Sequence, residues 1–157
     1  MSTAYTVENY LSAHRIPYDV VSHPRSVTSL RTASVAHIEP ERVAKGVVLE
    51  YDNGYMLAVL PASRHVRLGQ LRQMMGRDLR MASEYGISRL FPDCDTGAIP
   101  PVGFAYGVET VWDESLMDQP DLYFESGDHE SLLHGSTKDF IDLMGDASHS
   151  RFSTTIM

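Results

Sequence analysis

The chain has 157 residues, of which 43% are hydrophobic and 22% are charged, and its formal net charge is -8. This length and composition are typical of one soluble globular domain spanning residues 1–157. The sequence contains no run of about 18 apolar residues, which a membrane span would require. The first ten residues lack the basic start and apolar run of a signal peptide. The one cysteine, Cys94, cannot form an internal disulfide, so we expect a cytoplasmic location.

The charge is distributed unevenly. Residues 15–89 contain eleven Lys/Arg against seven Asp/Glu, whereas residues 93–157 contain two against thirteen. Six of the basic residues are arginines between Arg64 and Arg89. An acidic chain argues against a broad nucleic-acid footprint, and we expect no DNA partner, but a locally basic face could meet a polyanion. The alternative is a solvated, Arg-rich helix surface.

The first half of the chain predicts a mixture of short helices and strands. Val47, Val48 and Leu49 form an apolar run typical of a buried strand, and Asp52-Asn53-Gly54 should supply the positive φ angles of a tight hairpin. The predicted elements are a helix over 7–14 capped by Thr6, a strand over 16–21, a helix from Ser29 to about Ala36, strands over 43–51 and 55–60, and a helix over 68–75 ended by Gly76.

The second half continues this mixture and contains an irregular stretch over 91–107. The predicted elements are a strand over 79–81, a helix from Ser83 to Leu90, strands over 108–112, 121–125 and 131–134, and a last helix capped by Ser136 or Thr137. The polar tail after Gly145 is expected to fray. Irregularly interleaved helices and strands, with hairpins among them, predict an α+β fold with a mixed, largely antiparallel sheet.

Common catalytic signatures are absent from the sequence. There is no phosphate-binding glycine motif, no GxSxG elbow, no HExxH and no CxxC pair, and the seven histidines are not at ligand spacing. We therefore expect no metal and no cofactor. A thiol between two aspartates, as at Cys94, should have a raised pKa and be a poor nucleophile.

Two features could carry chemistry. Lys45 stands where a buried strand begins, so its ammonium could hold a phosphate or an oxyanion; the alternative is a lysine that only snorkels to solvent. The loop over 97–103 is stiffened by Pro100 and Pro101. The N–H groups of Gly97, Ala98 and Ile99 could orient a carbonyl, although such a loop is often only a turn.

Together these segments resemble the family of YbaK and the insertion domain of bacterial prolyl-tRNA synthetases, whose members hydrolyse the ester between a wrong amino acid and tRNA. The resemblance covers roughly residues 5–144. It is carried, in order, by Ala44-Lys45-Gly46-Val47-Val48-Leu49, by the segments at 57–63 and 79–83, by the loop at 97–103, by the segment at 112–116, and by Tyr123-Phe124-Glu125-Ser126-Gly127-Asp128-His129.

The resemblance implies a curved mixed sheet around a small pocket, flanked by helices. It places the family's lysine on Lys45, its GxxxP loop on Gly97 through Pro101, and its late glycine on Gly127. A histidine of the site falls on His129, with His134 as the alternative. The expected partner is the acceptor end of a mischarged tRNA, with an aminoacyl-tRNA synthetase as a second candidate partner.

Hydrolysis of an activated aminoacyl ester needs a positioned water and oxyanion donors rather than a covalent nucleophile. We expect the Gly97 loop to orient the carbonyl, Lys45 to hold the terminal phosphate or the oxyanion, and His129 or Asp128 to order the water or the ammonium of the amino acid. Family members act on alanine, cysteine, serine and threonine esters. Candidate substrate-binding residues are Val27, Leu30, Val47, Met81, Arg80, Pro101 and Asp128, with core packing as the alternative for the four apolar walls Val27, Leu30, Val47 and Met81.

Two other functions fit the same residues. The first is a non-catalytic module that binds tRNA or a synthetase through the same pocket. The second is a hydrolase or binder of a small amino-acid ester unrelated to tRNA, which the acidic net charge favours. Salt-dependent tRNA binding would separate the second function from editing, because phosphate contacts are screened by salt.

Overall fold

The computed structural model describes residues 3–95 and 97–156, and in this part of the chain five helices flank a mixed sheet. The helices are α1 Tyr5–Ala13, α2 Ser29–Val35, α3 Leu68–Met75, α4 Glu84–Leu90 and α5 Thr137–Met144. Short 3-10 helices occupy Pro40–Arg42, Gly103–Tyr106 and Glu114–Asp118. The strands are β1 Asp19–Ser22, β2 Val43–Tyr51, β3 Gly54–Pro61, β4 Arg64–Val66, β5 Arg80–Met81, β6 Glu109–Asp113, β7 Asp121–Glu125, β8 Ser131–Ser136, β9 Ser148–Ser150 and β10 Ser153–Thr155.

The main sheet has the strand order β1-β8-β7-β2-β3-β6-β9, and β5 adds to β2 beside this path. The pairings β1–β8, β8–β7, β2–β3 and β2–β5 are antiparallel, whereas β7–β2, β3–β6 and β6–β9 are parallel. β4 and β10 form a separate antiparallel pair. The predicted α+β fold with a mixed sheet is confirmed.

Strands β2 and β3 form the centre of the sheet and carry its most buried residues. β3 is buried from Met56 to Pro61, and apolar clusters pack against both of its faces. The predicted hairpin joins β2 to β3, with Tyr51 paired to Gly54. Its predicted backbone is wrong, because Asp52, Asn53 and Gly54 are not among the residues with positive φ. The hairpin therefore turns without the left-handed residues that the sequence offered.

Most helix boundaries agree with the sequence, because capping side chains are present. Ser83 and Ser136 accept hydrogen bonds from the third residue of α4 and α5 respectively, each at 3.1 Å, and Gly76 ends α3 at φ 65°. The cap of α2 is Thr28 instead of Ser29. At α1 the expected Thr6 cap is wrong: the helix begins at Tyr5, and the Thr6 N–H donates to the distant Asp93 carboxylate at 2.9 Å.

The tail beyond Gly145 is ordered, so the expectation that it frays is wrong. Its strand β9 pairs in parallel with β6, and β10 pairs with β4. Between them Phe152 is fully buried against Leu71 and Val111, and its N–H donates to the Asp113 carboxylate at 2.8 Å. One apolar residue between two three-residue strands gives almost no periodic signal, which is why the sequence did not predict them.

We expect Phe152→Ala to lower the free energy of unfolding by about 3–5 kcal/mol, because it removes a fully buried aromatic side chain and leaves a cavity. Urea denaturation followed by circular dichroism measures this. Thr154→Ala, at an exposed position of β10, is the matched control and should change stability little. Equal stability of the two variants would contradict a structural role for the tail.

Candidate functional site

The site begins at an interruption in the pairing of β2. One edge of β2 pairs with β3 along its whole length, but the other edge meets β7 only at Val43 and Ala44 and β5 only at Leu49 and Glu50. Within residues 3–95 and 97–156, no strand pairs with residues 45–48 on that second edge. The sheet is therefore open over about four residues at its centre.

Backbone polar groups of Gly46 face this opening. The Val48 carbonyl accepts the Ala82 N–H at 3.1 Å on this edge, and alternate residues of a strand direct their N–H and C=O groups to the same edge. Gly46 therefore directs its N–H and C=O into the opening. A Cβ at Gly46 would lie 2.9 Å from a methyl group of Leu57, so the buried Leu57 side chain would have to shift to admit it.

A cavity of about 250 Å³ occupies the opening. Cavities that hold drug-sized ligands are roughly 300–1,000 Å³, so this one suits a smaller group, such as one amino-acid side chain. Its walls come from β2, from β5 with the start of α4, and from the loop at 97–103. The lining residues are Gly46, Val47, Val48, Met81, Ala82, Glu84, Ile87, Gly97 and Ile99.

The loop over 97–103 is a rigid wall. Gly97 has φ 86°, which L side chains rarely adopt, while Ala98 and Ile99 are buried and Ile99 also lines the cavity. Pro100 and Pro101 are also buried, so Pro101 supports the loop and does not line the cavity. The Ala98 N–H donates to the Asp95 carbonyl at 3.0 Å, so its predicted role as a carbonyl donor is wrong. Among the residues that the structure describes, the N–H groups of Gly97 and Ile99 donate to no backbone carbonyl, so they remain candidate donors.

His129 lies directly beside Gly97. A Cβ at Gly97 would be 3.3 Å from His129 Cε1 and 3.4 Å from the Val27 carbonyl. His129 is only 2% exposed, has φ 61°, and accepts the Ser26 N–H on its carbonyl at 3.2 Å. The alternative, His134, stacks on Tyr123 and contacts Asp121 at 2.6 Å, so it belongs to a different cluster.

Asp128 organises the turn that carries His129. Its Oδ1 accepts the N–H groups of Glu130 and Ser131, both at 2.9 Å, and the hydroxyls of Ser126 and Ser131. Burial alone would raise the pKa of this carboxyl, but these hydrogen bonds outweigh burial and hold it below its usual range. The hydrogen bonds of the Asp128 carboxylate thus stay within the turn, and Asp128 does not line the 250 Å³ cavity.

Gly127 connects this turn to the base of the loop. It has φ 113°, its carbonyl accepts the Asp95 N–H at 2.8 Å, and a Cβ there would meet the Ala4 Cβ at 3.0 Å and Cys94 Sγ at 3.3 Å. The predicted late glycine is therefore a close-packed joint, which explains why the position needs a residue without a side chain.

Lys45 precedes Gly46 but is not among the described residues that line the cavity. It is half-buried, and burial lowers the pKa of its ammonium. Its Nζ donates to the Ala62 carbonyl at 3.5 Å, which is long for a hydrogen bond and therefore weak. The structure places Lys45 next to the site with its ammonium only loosely held.

The predicted wall residues divide into two groups. Val47 and Met81 line the cavity, and the Val27 carbonyl contacts the Gly97 position. Val27, Leu30 and Met81 are 66%, 44% and 61% exposed, so the alternative interpretation that these side chains pack in the core is wrong. Leu30 lies on α2 and does not line the cavity. Arg80 lies 3.8 Å from Glu50 and 3.5 Å from Asp52, so its guanidinium is paired.

Five of the lining residues were not among the predicted site residues: Gly46, Val48, Ala82, Glu84 and Ile87. For Glu84 and Ile87 a signal existed, because a helix capped by Ser83 puts residues 84 and 87 on one face. What the sequence could not show is that this face turns toward the opening in β2.

Burial raises the pKa of the Cys94 thiol to about 12, and Asp93 and Asp95 contribute less. Cys94 also contacts the Tyr106 hydroxyl at 3.2 Å. The expected poor nucleophile is confirmed, with burial ahead of the neighbouring aspartates as its cause. A thiolate is therefore not populated near neutral pH.

Glu125 is a buried carboxyl beside the His129 turn. Burial, and to a smaller extent the charge of Asp128, raise its pKa to about 7, while the Thr32 hydroxyl acts in the opposite direction. Because the folded-state pKa lies above the unfolded value, the folded state binds the extra proton and loses stability as the pH rises from about 4.5 to 7.

We expect Glu125→Gln to stabilise the protein at pH 8 by up to about 3 kcal/mol, because the neutral amide replaces a buried carboxylate. Thermal unfolding of both proteins at pH 8 and pH 5 measures this. At pH 5, close to the unfolded value of 4.5, the wild-type carboxyl is protonated in the fold, so the difference should fall below about 1 kcal/mol. The same difference at both pH values would show that ionisation is not its cause.

Neither a membrane-spanning helix nor a metal-binding cluster of three or more His, Cys, Asp or Glu occurs in the part of the chain that the structure describes.

The sequence profile of the aminoacyl-tRNA editing domain matches residues 23–143, which include the opening in β2, the loop at 97–103 and the His129 turn. The chain belongs to the aminoacyl-tRNA editing domain family. None of the curated proteins matches it.

Three solved structures share the fold of this editing domain. A candidate trans-editing enzyme for prolyl tRNA synthetase is 23% identical, with 98% of each chain covered and a TM-score of 0.83. A scaffold protein from computational epitope grafting is 21% identical, with 99% of each chain covered and a TM-score of 0.85. A candidate signal transduction protein from Marinobacter aquaeolei VT8 is 22% identical, with 95% of this chain and 30% of that chain covered and a TM-score of 0.77.

Proposed function

We propose that this editing domain acts in trans as a cytoplasmic hydrolase that removes a small amino acid from a mischarged tRNA, with tRNA(Pro) or a related tRNA as the carrier. The observation that carries the proposal is the 250 Å³ cavity between the backbone of Gly46 and the Gly97 loop. It is large enough for one small amino-acid side chain, and it opens at the centre of the domain that the family profile matches.

The reaction is hydrolysis of an ester. Water attacks the carbonyl carbon, the bond to the ribose oxygen breaks, and that oxygen is protonated, which leaves the free amino acid and the uncharged tRNA. We expect the N–H groups of Gly97 and Ile99 to hold the carbonyl oxygen as its charge develops. His129, which lies beside Gly97, is proposed to order the water. No covalent nucleophile is needed, which fits the protonated thiol of Cys94.

Lys45 is proposed to hold the terminal phosphate of the tRNA or the oxyanion. Its weak contact with the Ala62 carbonyl would be exchanged for this stronger, charge-assisted one. Few other phosphate contacts are required, because only the acceptor end enters the site. An acidic chain with a net charge of -8 is compatible with such limited contact.

A non-catalytic module that binds tRNA or a synthetase is the second candidate. It is favoured by one observation, namely that the Lys45 ammonium contacts the Ala62 carbonyl and does not line the cavity. In this case aminoacyl-tRNA would bind with the salt dependence of phosphate contacts but would not be hydrolysed.

The test is deacylation of alanyl-, seryl-, threonyl- and cysteinyl-tRNA(Pro) by the purified protein, with spontaneous hydrolysis measured in parallel. We expect rapid loss of at least one ester. Unchanged esters, together with measurable tRNA binding, would replace the hydrolase by the binding module. The absence of both would favour a small amino-acid ester unrelated to tRNA.

A further inference from the structure

Glu84 is the one ionisable residue among the nine described residues that line the cavity. It stands in the first turn of α4, behind the Ser83 cap, whose hydroxyl accepts the Gly86 N–H at 3.1 Å. The other eight lining residues are glycine, alanine or larger apolar residues. A single carboxylate therefore faces an otherwise uncharged binding space.

This carboxylate has no competing partner in the described ranges. None of the ion pairs there includes Glu84, whereas Arg80 nearby is already paired with Glu50 and Asp52. Glu84 is exposed and lines the cavity, so its carboxylate is accessible to a ligand.

An aminoacyl ester carries a positive charge at a fixed place. Its α-ammonium is bonded to the carbon next to the reacting carbonyl, so both groups must enter the site together. An ammonium that leaves water for an apolar cavity is costly unless it finds a hydrogen-bonding anion.

The other carboxyls near the site are engaged or neutral. Asp128 accepts four hydrogen bonds within its own turn, and Asp95 lies 3.7 Å from the Arg25 guanidinium. Glu125 is buried, which favours its protonated form. The anion that remains for an ammonium is Glu84, which lines the same cavity as Gly97.

We propose that Glu84 binds the α-ammonium of the aminoacyl group and thereby makes the site selective for esters with a free amino group. This inference rests on the proposed hydrolase function. It follows that N-blocked esters, including peptidyl-tRNA, are poor substrates, because a neutral amide cannot form the charge pair and adds bulk at the mouth of the cavity.

The experiment compares the aminoacyl-tRNA that the wild type hydrolyses fastest with its N-acetylated derivative. Single-turnover rates are measured for wild type, Glu84→Gln and the matched control Glu41→Gln, an exposed glutamate that does not line the cavity. We expect Glu84→Gln to lose roughly five-fold in rate on the free ester and to change little on the acetylated one, since an exposed charge pair is worth up to about that factor. Glu41→Gln should match wild type on both substrates.

A Glu84→Gln variant that keeps the wild-type preference for the free amine would overturn the inference while leaving the hydrolase function intact. An equal loss on both substrates would also overturn it, because the side chain would then support the cavity rather than the ammonium. A wild type that hydrolyses no ester would remove the proposed function and this inference together.

Discussion

Lys45→Met is expected to lower kcat/KM for deacylation by about 10²- to 10³-fold without unfolding the protein. Lys45 is the only cation on the strand that carries Gly46, so no neighbour on β2 can replace its charge. Methionine keeps an unbranched side chain of similar length, so the packing of the half-buried stem is preserved. The loss should therefore be electrostatic.

Single-turnover deacylation and thermal unfolding of the same preparations separate the two effects. Lys138→Met is the matched control, because Lys138 is the other lysine of the chain and is exposed on α5. We expect it to keep wild-type activity. Full activity of Lys45→Met would show that Lys45 takes no part in the reaction and that its side chain only extends to solvent.

Gly97→Ala is expected to reduce deacylation at least as strongly and to cost about 1–2 kcal/mol of stability. The stability cost arises because φ 86° is unfavourable for alanine. The loss of activity has a second cause, since the new methyl group would press on the His129 ring at 3.3 Å and on the Val27 carbonyl at 3.4 Å. The donors of the loop and the imidazole would both be displaced.

Gly107→Ala separates these two causes. Gly107 also has positive φ, at 70°, but nothing lies within 4 Å of a Cβ at that position. The Gly107→Ala variant should therefore lose a similar amount of stability while keeping wild-type activity. Equal activity losses in the two variants would mean that general backbone strain, and not the contact with His129, accounts for the effect.

Local elements were predictable from the sequence because local signals decide them. The run at Val47 to Leu49 predicted β2 with the bounds that the structure has, and Gly76 predicted the end of α3. Capping by Ser83 was correct for the same reason. Where a distant residue replaces a local signal, as Asp93 does at the start of α1, the prediction was wrong.

The arrangement of the site could not be predicted from local signals. The opening in β2 exists because β7 and β5 pair with different ends of one edge, and pairing between remote segments leaves no periodic pattern in either. The resemblance pointed to Lys45 and to the Gly97 loop, but only the fold shows that Gly46 and Glu84 face the same cavity. The hydrogen bonds that occupy the Ala98 N–H and the Asp128 carboxylate depend on the geometry of their turns, which local signals likewise do not reveal.

The interruption in β2 also bears on how substrate preference could change. The donors proposed at Gly97 and Ile99 belong to the main chain, as does the Gly46 N–H that faces the opening, so all three survive replacement of the surrounding side chains. The side chains that form the cavity walls, such as Val47 and Met81, can then be replaced while these main-chain groups stay in position. A redesign of the accepted amino acid should therefore begin at these two wall residues.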